Sequence, residues 1–238
     1  MWQSNRLSQC KQAIRLYRKN PADLIITDLI MPEKEGFETI MELKKDFPMV
    51  YMADRVCPHW VGYLLINPLR KLFENPNKIL GAFVQEGMIV LEPGCGMGYF
   101  TLPLARMVGP KGRIVALDIQ SKMLSALKRR AKRTGFLDRI ELRHIRDNGL
   151  GVKDISDKVD FAVALHVVHE VPNQASFFTE VWQALKQGSK LLVVEPKGHV
   201  SQDQFAESVA AAEKVGFVSE ALSKKVGGRA ALLIKKTN

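Results

Sequence analysis

The 238-residue chain has little cysteine, few aromatic residues and no long apolar run, and each shortage excludes a class of protein. Its three cysteines, Cys10, Cys57 and Cys95, show no C-x-x-C spacing, so neither a disulfide framework nor a paired zinc element can be built from them. The longest apolar stretches, such as 61–66 and 191–194, fall far short of the roughly 20 residues that a membrane span requires. The opening MWQSNRLSQCKQ lacks the apolar core of a secretory signal, and the expectation is a cytoplasmic, reduced protein. What is present is ordinary for a globular chain: 46% hydrophobic and 25% charged residues, enough to bury a full core. The length suits one large domain, or one domain with an appendage.

Acidic residues are also in short supply, 25 against 35 Lys and Arg, for a net +10. The imbalance concentrates between Ser121 and Arg146, where nine cations meet only Asp138 and Glu141. A patch of this kind can attract phosphates or acidic partners. A single aromatic residue, Phe136, falls in the stretch, too few to interleave with the cations and stack single-stranded bases, so a solvated helix face is the plainer reading and nucleic acid is not the favoured partner.

From Gly87 onward, apolar runs alternate with helical patterns. The runs are 88–94, 113–118, 139–145, 159–166, 190–196 and 229–236, rich in Val, Ile and Leu and without strict alternation, as expected of strands buried on both faces. Between them, Phe177, Phe178, Val181, Trp182 and Leu185 share one face of a helix expected over 173–187, with Gly188 as its stop. Ser201 and Gln204 form a capping-box pattern for a second helix, closed by Gly216. The alternation predicts an α/β protein, an open doubly wound sheet with helices on both faces. Residues 51–80 read as a helical cap broken by Pro68 and Pro76, and 81–238 as the sheet domain.

Residues 1–50 are different. DLIITDLIMPEKEG places Asp28 at a strand end, followed by Met31-Pro32 and Gly36, and it resembles the middle of a response-regulator receiver domain. The acidic pair that would hold Mg²⁺ and the later lysine of that family have no counterpart here. Without them the charge on a transferring phosphoryl group is not neutralised. The expectation is a truncated receiver-like segment that packs or dimerises and does not accept phosphate at Asp28.

The segment that carries chemistry is Val90-Leu91-Glu92-Pro93-Gly94-Cys95-Gly96-Met97-Gly98-Tyr99. A buried strand ends in an acid, glycines follow at alternate positions, and a helix opens behind them, so that the main chain can approach a ligand closely. The next strand ends in Asp118, suited to both hydroxyls of a ribose. Dinucleotide sites prefer glycine or alanine where Tyr99 stands. The pattern resembles motif I of the class I S-adenosylmethionine-dependent methyltransferases, and from Gly87 to the C-terminus the chain is similar to their ubiquinone/menaquinone C-methyltransferase-like group.

That resemblance implies a mostly parallel seven-stranded Rossmann-like sheet whose last two strands form an antiparallel pair. It also implies S-adenosylmethionine as cofactor. Gly94, Gly96 and Gly98 would cradle its methionine part, Glu92 would contact its amino group or fix the loop, and Asp118 would hold the ribose. Ile119 would pack on the adenine, and Asp147, or Asn148 in its place, would lie near the adenine amine. His166, after the fourth strand, is the candidate catalytic base or acceptor-orienting group, since neutral imidazole can take a proton near pH 7. His169 and Glu170 could form a supporting pair. H-V-V-H-E is not the zinc pattern H-E-x-x-H, and no metal is expected. The loop has Ala-Leu-His-Val where exocyclic-amine methylases carry Asn/Asp-Pro-Pro-Tyr/Phe. That difference disfavours exocyclic amines, and the resemblance to the ubiquinone/menaquinone C-methyltransferase-like group implies a small organic acceptor. RNA or protein methylation and a non-catalytic SAM-binding signalling module stand as alternatives, and homo-oligomerisation is left open.

Overall fold

The computed structural model describes residues 74–145, 149–222 and 226–236. All of these lie in the second of the two units into which the chain divides, Arg55–Asn238. The receiver-like segment, residues 51–73 of the cap, Asp147 and Asn148 lie outside the described residues.

Seven strands form one sheet: β1 Ile89–Pro93, β2 Arg113–Asp118, β3 Ile140–His144, β4 Val159–Leu165, β5 Leu185–Glu195, β6 Phe217–Glu220 and β7 Arg229–Lys235. Their order is β3-β2-β1-β4-β5-β7-β6. The first five strands pair in parallel, and β7 runs antiparallel between β5 and β6. The helices are α1 Pro76–Leu80, α2 Thr101–Met107, α3 Ser121–Thr134, α4 Gln174–Ala184 and α5 Gln202–Val215.

The unbroken apolar runs are explained by two cores, one on each face of the sheet. Val90, Ile114, Ala116, Phe161 and Val163 point to one face and pack with Leu104 of α2 and with Leu124 and Leu127 of α3. Their neighbours Leu91, Val115, Leu117, Ala162 and Ala164 point to the other, where Phe177, Phe178 and Val181 of α4 and Phe205 and Ala212 of α5 wait. A strand buried on both sides has no polar face to alternate.

The capping box of α5 forms as the sequence predicts: Gln204 N–H donates to Ser201 Oγ at 3.1 Å and Ser201 N–H to Gln204 Oε1 at 2.9 Å. Pro76 sits at the first position of α1, where a missing N–H costs nothing, behind the N-cap Asn75. One expectation is corrected. Helix α4 ends at Ala184, three residues before the expected Gln187. Asp157 N–H and Lys158 N–H take the carbonyls of Gln183 and Ala184, at 2.9 and 3.1 Å. Leu185 then pairs with Val159 as the first residue of β5, and Gly188, with φ of 76°, falls within that strand.

Three of the nine cations between 121 and 146 are committed to internal contacts. Arg130 donates to Met97 O in the glycine loop, Arg139 donates to Ala105 O at 3.1 Å, and Arg143 grips Asp154 through two 2.7 Å bonds. Lys122, Lys128, Arg129, Lys132 and Arg133 form the exposed face of α3. Much of the basic stretch is thus the bracing and solvation of one helix.

Candidate active site

Strands β1 and β4 are neighbours in the sheet but are separated by two strands in sequence, so the chain leaves β1 in one direction and β4 in the other. Ligands of open α/β sheets bind beyond the strand ends at this switch point. Every described candidate residue collects there.

The loop after β1 carries Gly94, Gly96 and Gly98, all with positive φ (72°, 52° and 82°). A Cβ at Gly94 would lie 2.5 Å from Val167 Cγ2, and one at Gly98 would collide with Leu127 of α3. Both positions combine a left-handed backbone with close packing, and only glycine fits. Around Gly96, by contrast, the space that a Cβ would enter is open among the described residues.

Two buried carboxyl groups flank this loop. Glu92, 3% exposed, ends β1, and Asp118, 8% exposed, ends the neighbouring β2. Asp118 ties the loop down: its Oδ2 accepts from Gly96 N–H and its Oδ1 from Gln120 N–H, each at 2.8 Å. Each oxygen keeps a lone pair for a further donor. Burial raises the Asp118 pKa, against the pull of those two amides. Glu92 is pushed up to about 8, chiefly by burial and further by the charge of Asp118, with the Thr101 hydroxyl opposing the rise. Glu92 Oε2 and Thr101 Oγ1 are both buried; the hydroxyl lies near the carboxyl without a well-aligned hydrogen bond, and neither atom has another partner among the described residues. Cys95 is buried within the loop and its thiol is pushed well up, mainly by burial, so it is no nucleophile. Ile119, next to Asp118, is 48% exposed, an apolar side chain left uncovered beside the loop and not part of the core.

The far wall of the crevice is the turn after β4. His166 adopts a left-handed conformation, φ 59°, uncommon for a side-chain-bearing residue and typical of functional turns. Its N–H donates to Val194 O at 2.7 Å, and its Nε2 meets Glu74 Oε1 at 2.5 Å. Its Nδ1 is buried without a partner among the described residues. Tyr99 Oη donates to the Glu74 carbonyl at 2.6 Å, so Glu74 is held from both walls. His169 pairs with Glu195, the last residue of β5, and not with Glu170: its Nδ1 lies 2.5 Å from Glu195 Oε2, while Val168 N–H donates to Oε1 at 2.7 Å.

Glu74 and Glu195 were not legible as site residues. Glu74 carries no motif. Glu195 does carry a signal, because Val194-Glu195-Pro196 repeats the strand-acid-proline ending of Leu91-Glu92-Pro93.

A family model described as a methyltransferase domain matches residues 84–229, more than half of the chain. The chain belongs to this methyltransferase-domain family. The demethylmenaquinone methyltransferase of Halalkalibacterium halodurans is 30% identical over 112 residues, 47% of this chain and 44% of that protein. The enzyme of the same name from Oceanobacillus iheyensis is 28% identical over 112 residues, 47% and 46% of the two chains. This methyltransferase domain therefore spans about half the length of the curated relatives it matches. A SAM-dependent methyltransferase from Aquifex aeolicus shares the fold, with a TM-score of 0.65 at 24% identity over 75% of this chain and 97% of that one.

Proposed function

We propose that the protein transfers a methyl group from S-adenosylmethionine to a small organic acceptor. The observation that carries the reading is the buried Glu92 Oε2, without a well-aligned hydrogen bond among the described residues, beside a glycine loop that is open at Gly96. Two buried carboxyls would repel a pyrophosphate, and they would welcome the ammonium group of an amino acid. The residues present therefore fit the cofactor. Gly94, Gly96 and Gly98 would lie along its methionine part, Glu92 would receive its amino group, and Asp118 would use its spare lone pairs on the ribose hydroxyls. Ile119 would cover the adenine, with Asp147 or Asn148 near the adenine amine. When bound, the cofactor supplies a methyl group already activated on a sulfonium. The chain's own work is then positioning and proton handling, of which positioning alone can contribute roughly 7–11 kcal/mol. His166, its ring fixed by Glu74, would orient the acceptor against the end of β4 through ring contact and not through a free nitrogen.

The named relatives act on demethylmenaquinone, which supports a small acceptor over RNA or protein. The test is transfer from methyl-labelled S-adenosylmethionine into a fractionated cell extract, counted separately in metabolite, RNA and protein pools. Label confined to RNA or protein would sink the small-acceptor reading, and no label anywhere would sink the enzyme.

Glu92 makes a second test. A carboxyl whose folded pKa is raised binds its proton more tightly folded than unfolded. Its contribution to ligand-free stability is therefore full at low pH and falls as pH rises from 4.5 toward 8. Near pH 6.5 the ligand-free group is protonated, and an arriving ammonium should expel that proton. Calorimetry of cofactor binding in buffers of different ionisation enthalpy should show release of about one proton, absent in Glu92→Gln. Identical heats in all buffers would remove Glu92 from the amino-group role.

A further inference from the structure

We infer that His169, positioned by Glu195, is the group that takes the proton from an ionisable hydroxyl of the acceptor. The inference rests on the methyltransferase reading above and adds to it the base and the class of acceptor.

The geometry begins with Glu195. It is buried at the carboxyl end of β5, which lies beside β4 with Leu165 opposite Val194. Its two oxygens are used differently. One accepts the Val168 N–H and so fixes the carboxylate to the backbone of the turn after β4; the other accepts from Nδ1 of His169. A carboxylate only accepts, so Nδ1 carries the ring hydrogen of the neutral imidazole and Nε2 carries the lone pair. Nε2 has no hydrogen-bond partner among the described residues, and the side chain is 27% exposed. A carboxylate that fixes the tautomer and the ring of a histidine with its second nitrogen open is the arrangement that makes a general base.

The turn is also in the right place. Val167, two residues before His169, packs against Gly94 of the glycine loop, so this turn forms the wall opposite the cofactor crevice. His166 lies on the same wall, but its Nε2 is engaged by Glu74 and its Nδ1 is buried, leaving no nitrogen open to an acceptor. The titratable groups that face His169 are Glu195 from β5, Glu170 from its own turn, and His199 from the segment after β5, whose ring centroid is 6.3 Å away. The hydrogen bond to Glu195, and then the charges of Glu195 and Glu170, raise the His169 pKa against the effect of burial.

The step is a simple proton transfer. The acceptor O–H bond breaks, its electron pair stays on oxygen, and an N–H bond forms at Nε2, leaving an oxyanion and an imidazolium. A complete transfer that leaves a free oxyanion is within reach of an imidazole for a hydroxyl of phenol or enol acidity; an aliphatic alcohol, a far weaker acid, could lose its proton only in concert with bond formation, as in a serine-histidine pair. The acceptor should accordingly carry such a hydroxyl, at or conjugated to the atom that is methylated.

The tautomer can be read without any ligand. Nitrogen NMR of the labelled protein should show neutral His169 as the Nδ1–H form, and its titration midpoint should move down in Glu195→Gln. In turnover of methyl-labelled S-adenosylmethionine with cell-extract metabolites, His169→Gln should lose about 100-fold or more in kcat. Cofactor affinity by calorimetry should stay within about twofold. The acid limb of the rate profile should follow the NMR midpoint in Glu195→Gln. An Nε2–H tautomer, undiminished turnover in His169→Gln, or parallel loss of cofactor binding in both variants would each overturn the proposal while the wild type still transfers methyl groups. A wild type that neither binds the cofactor nor transfers label would fail one stage earlier, at the methyltransferase reading itself.

Discussion

Asp118→Ala should weaken S-adenosylmethionine binding about 10–100-fold, the equivalent of one hydrogen-bonding interaction with a charged group at roughly 1.5–3 kcal/mol. Asp118 serves the site twice. It holds the glycine loop through Gly96 N–H and the start of α3 through Gln120 N–H, and its remaining lone pairs are the ones available to a ribose. Alanine removes both services and strands two amide donors. Asp118→Asn separates them, because one side-chain oxygen remains while the new NH₂ must face an N–H that it cannot accept from. Asparagine should therefore lose much of the affinity as well, despite its identical size. Calorimetry measures the binding, and thermal unfolding without ligand reports how far the loop has loosened. Unchanged affinity in Asp118→Ala would remove the residue from the cofactor site.

The parts of this protein that are legible from its sequence are those fixed by near neighbours. The strands β1, β2 and β4 and the second half of β5 announce themselves because burial on both faces demands runs of Val, Ile, Leu and other apolar residues. The capping box at Ser201 and Gln204 spans three residues, and the glycines at 94, 96 and 98 are required by a local left-handed backbone. The misread parts depend on distant partners. The apolar Leu185 continues the helical stripe of Phe178 and Val181, yet the turn at Asp157 and Lys158 captures the last carbonyls of α4 and turns Leu185 into a strand residue. His166 stands out by position, but its partner Glu74 is 92 residues away in sequence. His169 has an acid beside it in Glu170, which made a local pair plausible, while the carboxylate that holds it comes from 26 residues downstream. The glycine loop could be read from residues in a row; the two histidines required the sheet to be assembled first.

The largest stability effect is expected at Lys235, far from the crevice. Only 1% exposed near the end of β7, it donates to Leu185 O and to Asp157 Oδ1, both at 2.7 Å, and lies 4.1 Å over the Trp182 ring. It thereby joins the end of β7 to the junction where α4 becomes β5. Asp157 is mostly exposed, so its pair with Lys235 is screened and contributes little. What matters is the desolvated ammonium held by a carbonyl and an aromatic face, and the volume of its stem. Lys235→Ala would empty that volume, uncover the Trp182 face and leave the Leu185 carbonyl without its donor, an expected loss of about 2–4 kcal/mol. Lys235→Met keeps the stem and places a polarisable sulfur near the ring, so only the carbonyl is stranded and about 1–2 kcal/mol should be lost. Urea unfolding of the two variants separates the contributions. If methionine and alanine were equally destabilising, the charge and not the packing would hold the junction; if alanine cost less than about 0.5 kcal/mol, within the range of ordinary surface changes, Lys235 would not be a structural tie at all.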